Sequence, residues 1–354
     1  MDSTVDHADR LLPRVSFLTH RSFSPAWWLP GPNLQTLWGK FMHPRTPLNL
    51  RLEQIDTPDG DFLELHHLSG NAGTPLLVLL HGLEGSLRSH YIQGLLDEAS
   101  RRGWRAVVLI FRSCGGSLNR TRRFYHSGET TDLAFTIDHI AATYPDAPLI
   151  LAGVSLGGNV LLKYLGERED SVPPGVRAAA AVSVPYDLAR AASHIDKGFA
   201  KLYQRSFIRS LQSKALAKLE HFPDLVHREQ IRSIRTMRDF DNYITAPLHG
   251  FRDADDYYAQ SSAINWLHSI RVDTLLLSAV DDPFLPSQVL DDVRNAAAYN
   301  SSLHLEFTPN GGHAGFVGGA SPLRPDYYME KRVGDFLANR LTHSASAIYS
   351  GGHS

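Results

Sequence analysis

Short apolar runs recur along the chain at intervals that suit strands alternating with helices. Residues 50–55, the turn Thr57-Pro58-Asp59-Gly60 and residues 62–68 read as two strands of a hairpin, because Asp-Gly supplies the positive φ of a tight turn. After Gly70-Asn71-Ala72-Gly73 come nearly unbroken apolar runs at 76–80, 106–111, 149–152, 178–184 and 274–277. Strands without a polar face are buried on both sides, as in a parallel sheet. Helical periodicity at 91–102, 129–144 and 159–169 lies between them, so the units alternate as crossovers. The expected core is a doubly wound, mostly parallel α/β sheet with an antiparallel edge.

Residues 187–270 break this rhythm, since they hold no strand pattern where one crossover helix would suffice. They read as an inserted helical cap, with Phe199, Leu202, Tyr203 and Phe207 at helical spacing. The expected division is an arm packed on the core (1–48), the first part of the core (49–186), the cap (187–270), the second part of the core (271–342) and a disordered tail (343–354).

Composition narrows the classes. The 354 residues are 43% hydrophobic and 20% charged, and 35 basic against 37 acidic residues leave a net charge of −2, so nucleic acid is not an expected partner. Cys114 is the single cysteine, which excludes an intramolecular disulfide and a multi-cysteine metal site. Arg10, Arg14 and Arg21 are scattered among polar residues without the apolar stretch of a signal peptide, and no run approaches bilayer-spanning length. A cytoplasmic location is expected. Between Lys197 and Arg238 the cap carries 10 basic and 3 acidic residues, a solvated face or an attraction for anionic substrates or lipid surfaces.

The strongest chemical signal is Gly153-Val154-Ser155-Leu156-Gly157-Gly158, set between a buried strand and an amphipathic helix. A serine there occupies a strained strand-to-helix turn with its hydroxyl exposed, and the flanking glycines avoid collisions with neighbouring backbone. A hydroxyl needs a base, and His313 follows the last expected strand (303–307) in Pro309-Asn310-Gly311-Gly312-His313-Ala314-Gly315-Phe316, a loop that reads as flexible enough to swing an imidazole over Ser155. A carboxylate to orient that imidazole belongs after the preceding strand, where Asp281 and Asp282 are both candidates. For an oxyanion, the backbone N–H of Leu156 and that of Leu83, in His81-Gly82-Leu83-Glu84-Gly85-Ser86, are the expected donors. The order Ser, Asp, His is that of the α/β hydrolases.

Taken in order, Gly31-Pro32-Asn33-Leu34-Gln35-Thr36, the 81–86 loop, Arg112-Ser113-Cys114-Gly115-Gly116-Ser117, the serine turn, Thr245-Ala246-Pro247-Leu248-His249-Gly250-Phe251, Asp281-Asp282-Pro283-Phe284 and Gly311-Gly312-His313 cover nearly the whole chain. In these motifs the sequence resembles the YheT-like (AB-hydrolase-4) family of α/β hydrolases. The resemblance implies the α/β-hydrolase fold and a serine carboxylesterase acting on acyl esters of short or medium chain, lipid esters among them. Related hydrolases place the acid just before a turn like Pro283-Phe284-Leu285-Pro286, which favours Asp282, with Asp281 as the alternative. Ser113 departs from the pattern, where glycine is expected.

Two other functions use the same residues: an acyltransferase sharing the acyl-enzyme, and a non-catalytic ligand- or lipid-binding member of the fold. No cofactor and no metal are expected, since Asp253, Asp255 and Asp256 lack the glycine and glutamate spacing of a calcium loop. Cys114 reads as a packing residue, and Trp27-Trp28-Leu29-Pro30 as part of an arm laid across the core, with an interfacial membrane anchor as the alternative.

Overall fold

The computed structural model describes residues 22–44 and 46–350, so the arginines 10, 14 and 21 and residues 351–354 lie outside the described residues. The hairpin comprises β1 (Leu50–Asp56) and β2 (Phe62–Leu68). Strands β3 (Leu76–Leu80), β4 (Arg105–Ile110), β5 (Leu149–Val154), β6 (Val176–Val182), β7 (Thr274–Ala279) and β8 (Leu303–Thr308) complete one sheet in the order β1-β2-β4-β3-β5-β6-β7-β8. Both pairings of β2 are antiparallel and all the others are parallel. Helices α2 (His90–Arg101), α3 (Thr131–Thr143), α4 (Leu156–Arg168), α11 (Val289–Ala297) and α12 (Tyr328–Ser350) belong to this core, which α1 (Pro32–Met42) precedes. Every residue of β3, β5 and β7 is buried, the reason their sequences lack alternation.

The chain leaves β3 for β4 on one side and returns to β5 on the other. Loops after β3 and β5 therefore diverge at neighbouring strand ends, the crevice where α/β sheets hold ligands. The register pairs Leu80 with Gly153, so residues 81–86 and Ser155 emerge side by side.

Between β6 and β7 the chain forms α5 (Leu188–Ile195), α6 (Ala200–Leu219), α7 (Arg228–Ser233), α8 (Met237–Phe240), α9 (Ala246–His249) and α10 (Ala254–Ser261), with a π-helical turn over Asp241–Thr245. Ile208, Leu211, Ala215, Leu219, Ile231, Ile234, Phe240 and Ile244 give this region a small core of its own, closed on the main body by Phe124.

Several elements depart from the sequence-based expectations. A two-stranded sheet of β9 (Val317–Ser321) and β10 (Arg324–Tyr327) follows β8, so the strand at 303–307 is not the last; its Gly-Gly and Pro residues hid it. Helix α12 runs on through residues 343–350, where a tail was expected. In the arm, Leu29 is buried and Trp28 packs edge-on against Trp38, but Trp27 stays 79% exposed, held by its indole N–H on the Ala320 carbonyl.

Candidate active site

Ser155 links the end of β5 to the start of α4 at φ 56°, ψ −122°, a conformation rare for a residue with a side chain. Its N–H donates to the Val182 carbonyl (2.8 Å) and its carbonyl accepts from Asn159 N–H (3.1 Å), so neighbouring elements hold the strain. The glycines answer to contacts. A Cβ on Gly153 would lie 2.4 Å from the Gly157 carbonyl oxygen, and one on Gly157 would lie 2.5 Å from that of His81.

The loop after β8 carries His313, whose Nδ1–H donates to Asp282 Oδ2 at 2.8 Å, with both residues buried. The other Asp282 oxygen accepts from Phe284 N–H (2.8 Å). Asp281 points elsewhere, and its Oδ1 accepts from Gly312 N–H at 2.9 Å. Far from being free to swing, the loop is pinned at each step. His313 N–H donates to Thr36 Oγ1 (2.9 Å) and Ala314 N–H to Ser183 Oγ (3.0 Å), while Gly312, Ala314 and Phe316 all have positive φ. A Cβ on Gly312 would lie 2.5 Å from the Pro32 carbonyl oxygen.

Helix α1 thus belongs to the site, a role its sequence did not announce. Gln35 accepts from Val317 N–H (2.8 Å) and donates to the Val317 carbonyl (3.0 Å), mimicking a strand pair, and Thr36 supports His313. The sign in the sequence was the Gly31-Pro32-Asn33-Leu34-Gln35-Thr36 motif, which said nothing of its partners. The burial of Gln35 and Thr36, with Gly39, turns Leu34, Phe41 and Met42 outward.

On the opposite side, Gly82 N–H donates to the Tyr91 hydroxyl (3.0 Å) and Glu84 N–H to that of Tyr125 (2.8 Å), fixing the peptides on either side of Leu83. Among the described residues, neither Leu83 N–H nor Leu156 N–H has a protein acceptor, and both residues line the cavity that Ser155 and His313 face. His81 Nδ1–H donates to the Gly82 carbonyl while Nε2 accepts from Phe111 N–H, and complete burial pushes its pKa down to about 4. It is a neutral brace for the loop. Glu84 reaches up to Lys214 Nζ (2.8 Å) and Ser210 on α6, tying the cap to this loop.

The cavity measures about 870 Å³ and its walls include Leu188, Ile195, Phe207, Leu211, Phe240 and Phe284. Phe284 lies against the His313 ring (centroids 4.3 Å apart) beneath Tyr203 and Phe207 of α6. Ser155 and His313 therefore face one cavity under an apolar roof, where charge–dipole interactions are stronger than in water.

Outside these residues, Ser113 has φ 62°, which explains why glycine is the expected residue there; its hydroxyl donates to Asn119 Oδ1 (2.6 Å). Buried Cys114 has its thiol pKa pushed up to about 11 by burial. One grouping not anticipated from sequence is His126, Glu129 and His249, whose ligand atoms all lie within 4.8 Å of one another. Both oxygens of Glu129 are already engaged, by Arg123 and by Thr131, so the guanidinium supplies the positive charge a metal ion would bring.

The sheet order and the strand–Ser–helix turn define an α/β hydrolase, and a family model of the alpha/beta hydrolase fold matches residues 75–320; the chain belongs to that family. More closely, it belongs to the YheT-like branch. It is 36% identical over 343 residues, 96% of this chain and 97% of the relative, to the esterase candidate YheT of Escherichia coli strain K12. It is also 31% identical to the Mus musculus phospholipase ABHD3, over 91% of this chain and 79% of that one. Among solved structures, the Pyrococcus furiosus esterase Pf2001 shares the fold with a TM-score of 0.54 at 17% identity, covering 82% of this chain and 93% of that chain. This is an esterase/lipase-type hydrolase family. Among the described residues no helix is long and apolar enough to cross a membrane.

Proposed function

We propose that the protein is a serine carboxylesterase that cleaves acyl esters through an acyl-enzyme on Ser155. One observation carries the reading. A histidine bonded to a buried carboxylate faces the same cavity as a strained serine and two amides that have no protein acceptor among the described residues. In the mechanism, His313 takes the Ser155 proton as the hydroxyl attacks the ester carbonyl, and the Leu83 and Leu156 amides receive the oxyanion. His313 then gives its proton to the leaving alcohol, and afterwards activates the water that releases the acid. Asp282 holds the ring through both halves, while Asp281 holds the loop.

The apolar cavity favours acyl chains over polar substituents. Phe41 (70% exposed), Phe199 and Leu202 ring its mouth beside Lys40 and Arg88, a composition suited to peripheral contact with a lipid surface. We take residues 187–270 as the cap that selects substrate and, from the lone buried thiol, a cytoplasmic location. The test is hydrolysis of p-nitrophenyl esters of graded acyl length, with Ser155→Ala as blank and added alcohol to score acyl transfer. Turnover lost in Ser155→Ala is expected; turnover equal in both proteins would overturn the reading.

A further inference from the structure

Among the ionisable groups that line the cavity, Asp241 is a carboxylate that the proposed chemistry leaves unused. Asp241 is 8% exposed and lines the cavity from the π-helical turn, a backbone form frequent at functional positions. Its carboxylate accepts from Thr245 Oγ1 and the Tyr258 hydroxyl, each at 2.8 Å. Among the described residues no Lys, Arg or His donates to it, and nearby Arg238 is bonded to Asp255 at the surface. A carboxylate offers about four acceptor positions, so roughly half its capacity is unfilled. Burial pushes its pKa up to about 6.

The surroundings are aromatic. Phe240, Tyr257 and Tyr258 line the same cavity, and the two tyrosine rings lie 5.3 Å apart at 45°. An alkyl chain placed here would desolvate the charge and return nothing, and an anion would be repelled. A buried carboxylate among aromatic side chains is a combination that can receive alkylammonium groups, although the Arg238 guanidinium already lies over the Tyr258 ring, 5.9 Å from its centroid. We propose that Asp241, Tyr257 and Tyr258 form a cation subsite that takes an alkylammonium group at the end of the substrate remote from the ester. The subsite rests on the esterase reading for its role, but binding of the cation does not require turnover.

The experiment compares hexyltrimethylammonium with 1-hexanol as competitive inhibitors of p-nitrophenyl butyrate hydrolysis, and titrates both calorimetrically into Ser155→Ala. The wild type should bind the ammonium about tenfold or more tightly than the alcohol. Asp241→Asn should bring the two within about twofold of each other, whereas Tyr258→Phe, which keeps ring and carboxylate, should retain the preference. Melting curves check folding, and Asp241→Ser serves if Asp241→Asn fails to fold. No preference for the ammonium in the wild type, or a preference that survives removal of the carboxylate, would overturn the proposal. Absence of ester turnover with Asp241-dependent ammonium binding intact would refute the esterase reading alone.

Discussion

Replacing each member of the Asp281-Asp282 pair by asparagine should have very different consequences, although the two are adjacent and both serve the His313 loop. Asp282 Oδ2 accepts the His313 Nδ1–H at 2.8 Å in a buried site. Its amide variant loses the charge that stabilises the imidazolium and can present an N–H to Nδ1, favouring the wrong tautomer; the analogous change in a trypsin-type triad costs about 10⁴ in kcat. Asp281 contributes one bond to Gly312 N–H and one, at 3.3 Å, to the Asn310 amide. The asparagine oxygen can still accept from Gly312, so the loss is that between a charge-assisted and a neutral hydrogen bond, about 1 kcal/mol, or about fivefold if all of it appeared as loop misplacement. The assay is kcat/KM for a p-nitrophenyl ester across pH 5 to 9. An Asp281→Asn enzyme crippled by a thousandfold, beside an Asp282→Asn enzyme within tenfold of wild type, would refute the assignment.

Three further outcomes follow from the contacts. Thr36→Val leaves the buried His313 N–H without an acceptor, costing about 1–3 kcal/mol, and should lower kcat more than it raises KM; unchanged kinetics would detach α1 from the site. Arg112 bridges Asp59, Asp61 and Asp132, so Arg112→Met strands buried carboxylates and should destabilise by about 3–5 kcal/mol in urea unfolding. Burial pushes the pKa of His81 down to about 4 and lowers that of His126, so the unfolded chain takes up protons first as pH falls below about 6.5. Stability should then drop toward pH 4 by about 1.4 kcal/mol per pH unit for each, as seen by urea titration at pH 6.5 and 4.5. His81→Gln should flatten that slope.

The parts of this molecule that sequence revealed are those with one-dimensional signatures. Runs such as Leu76 to Leu80 have no polar face because both faces are covered, and Gly153 and Gly157 are glycines because backbone oxygens stand within 2.5 Å of where a Cβ would be. What stayed hidden depends on contacts between distant segments. Nothing near Gln35 and Thr36 says that their partners are Val317 and His313, some 280 positions away. The His313 loop, rich in glycine, looked mobile, yet glycine there serves close packing against Pro32 and Thr36. Asp241 likewise has no signature in the sequence; the π-turn sets it into the cavity wall.

The most direct test of the central claim is mass spectrometry of the protein after reaction with a fluorophosphonate. The account predicts one adduct per chain, on Ser155, that is absent in Ser155→Ala and forms far more slowly in His313→Ala. An adduct on any other residue, or labelling of Ser155→Ala at the wild-type rate, would contradict it.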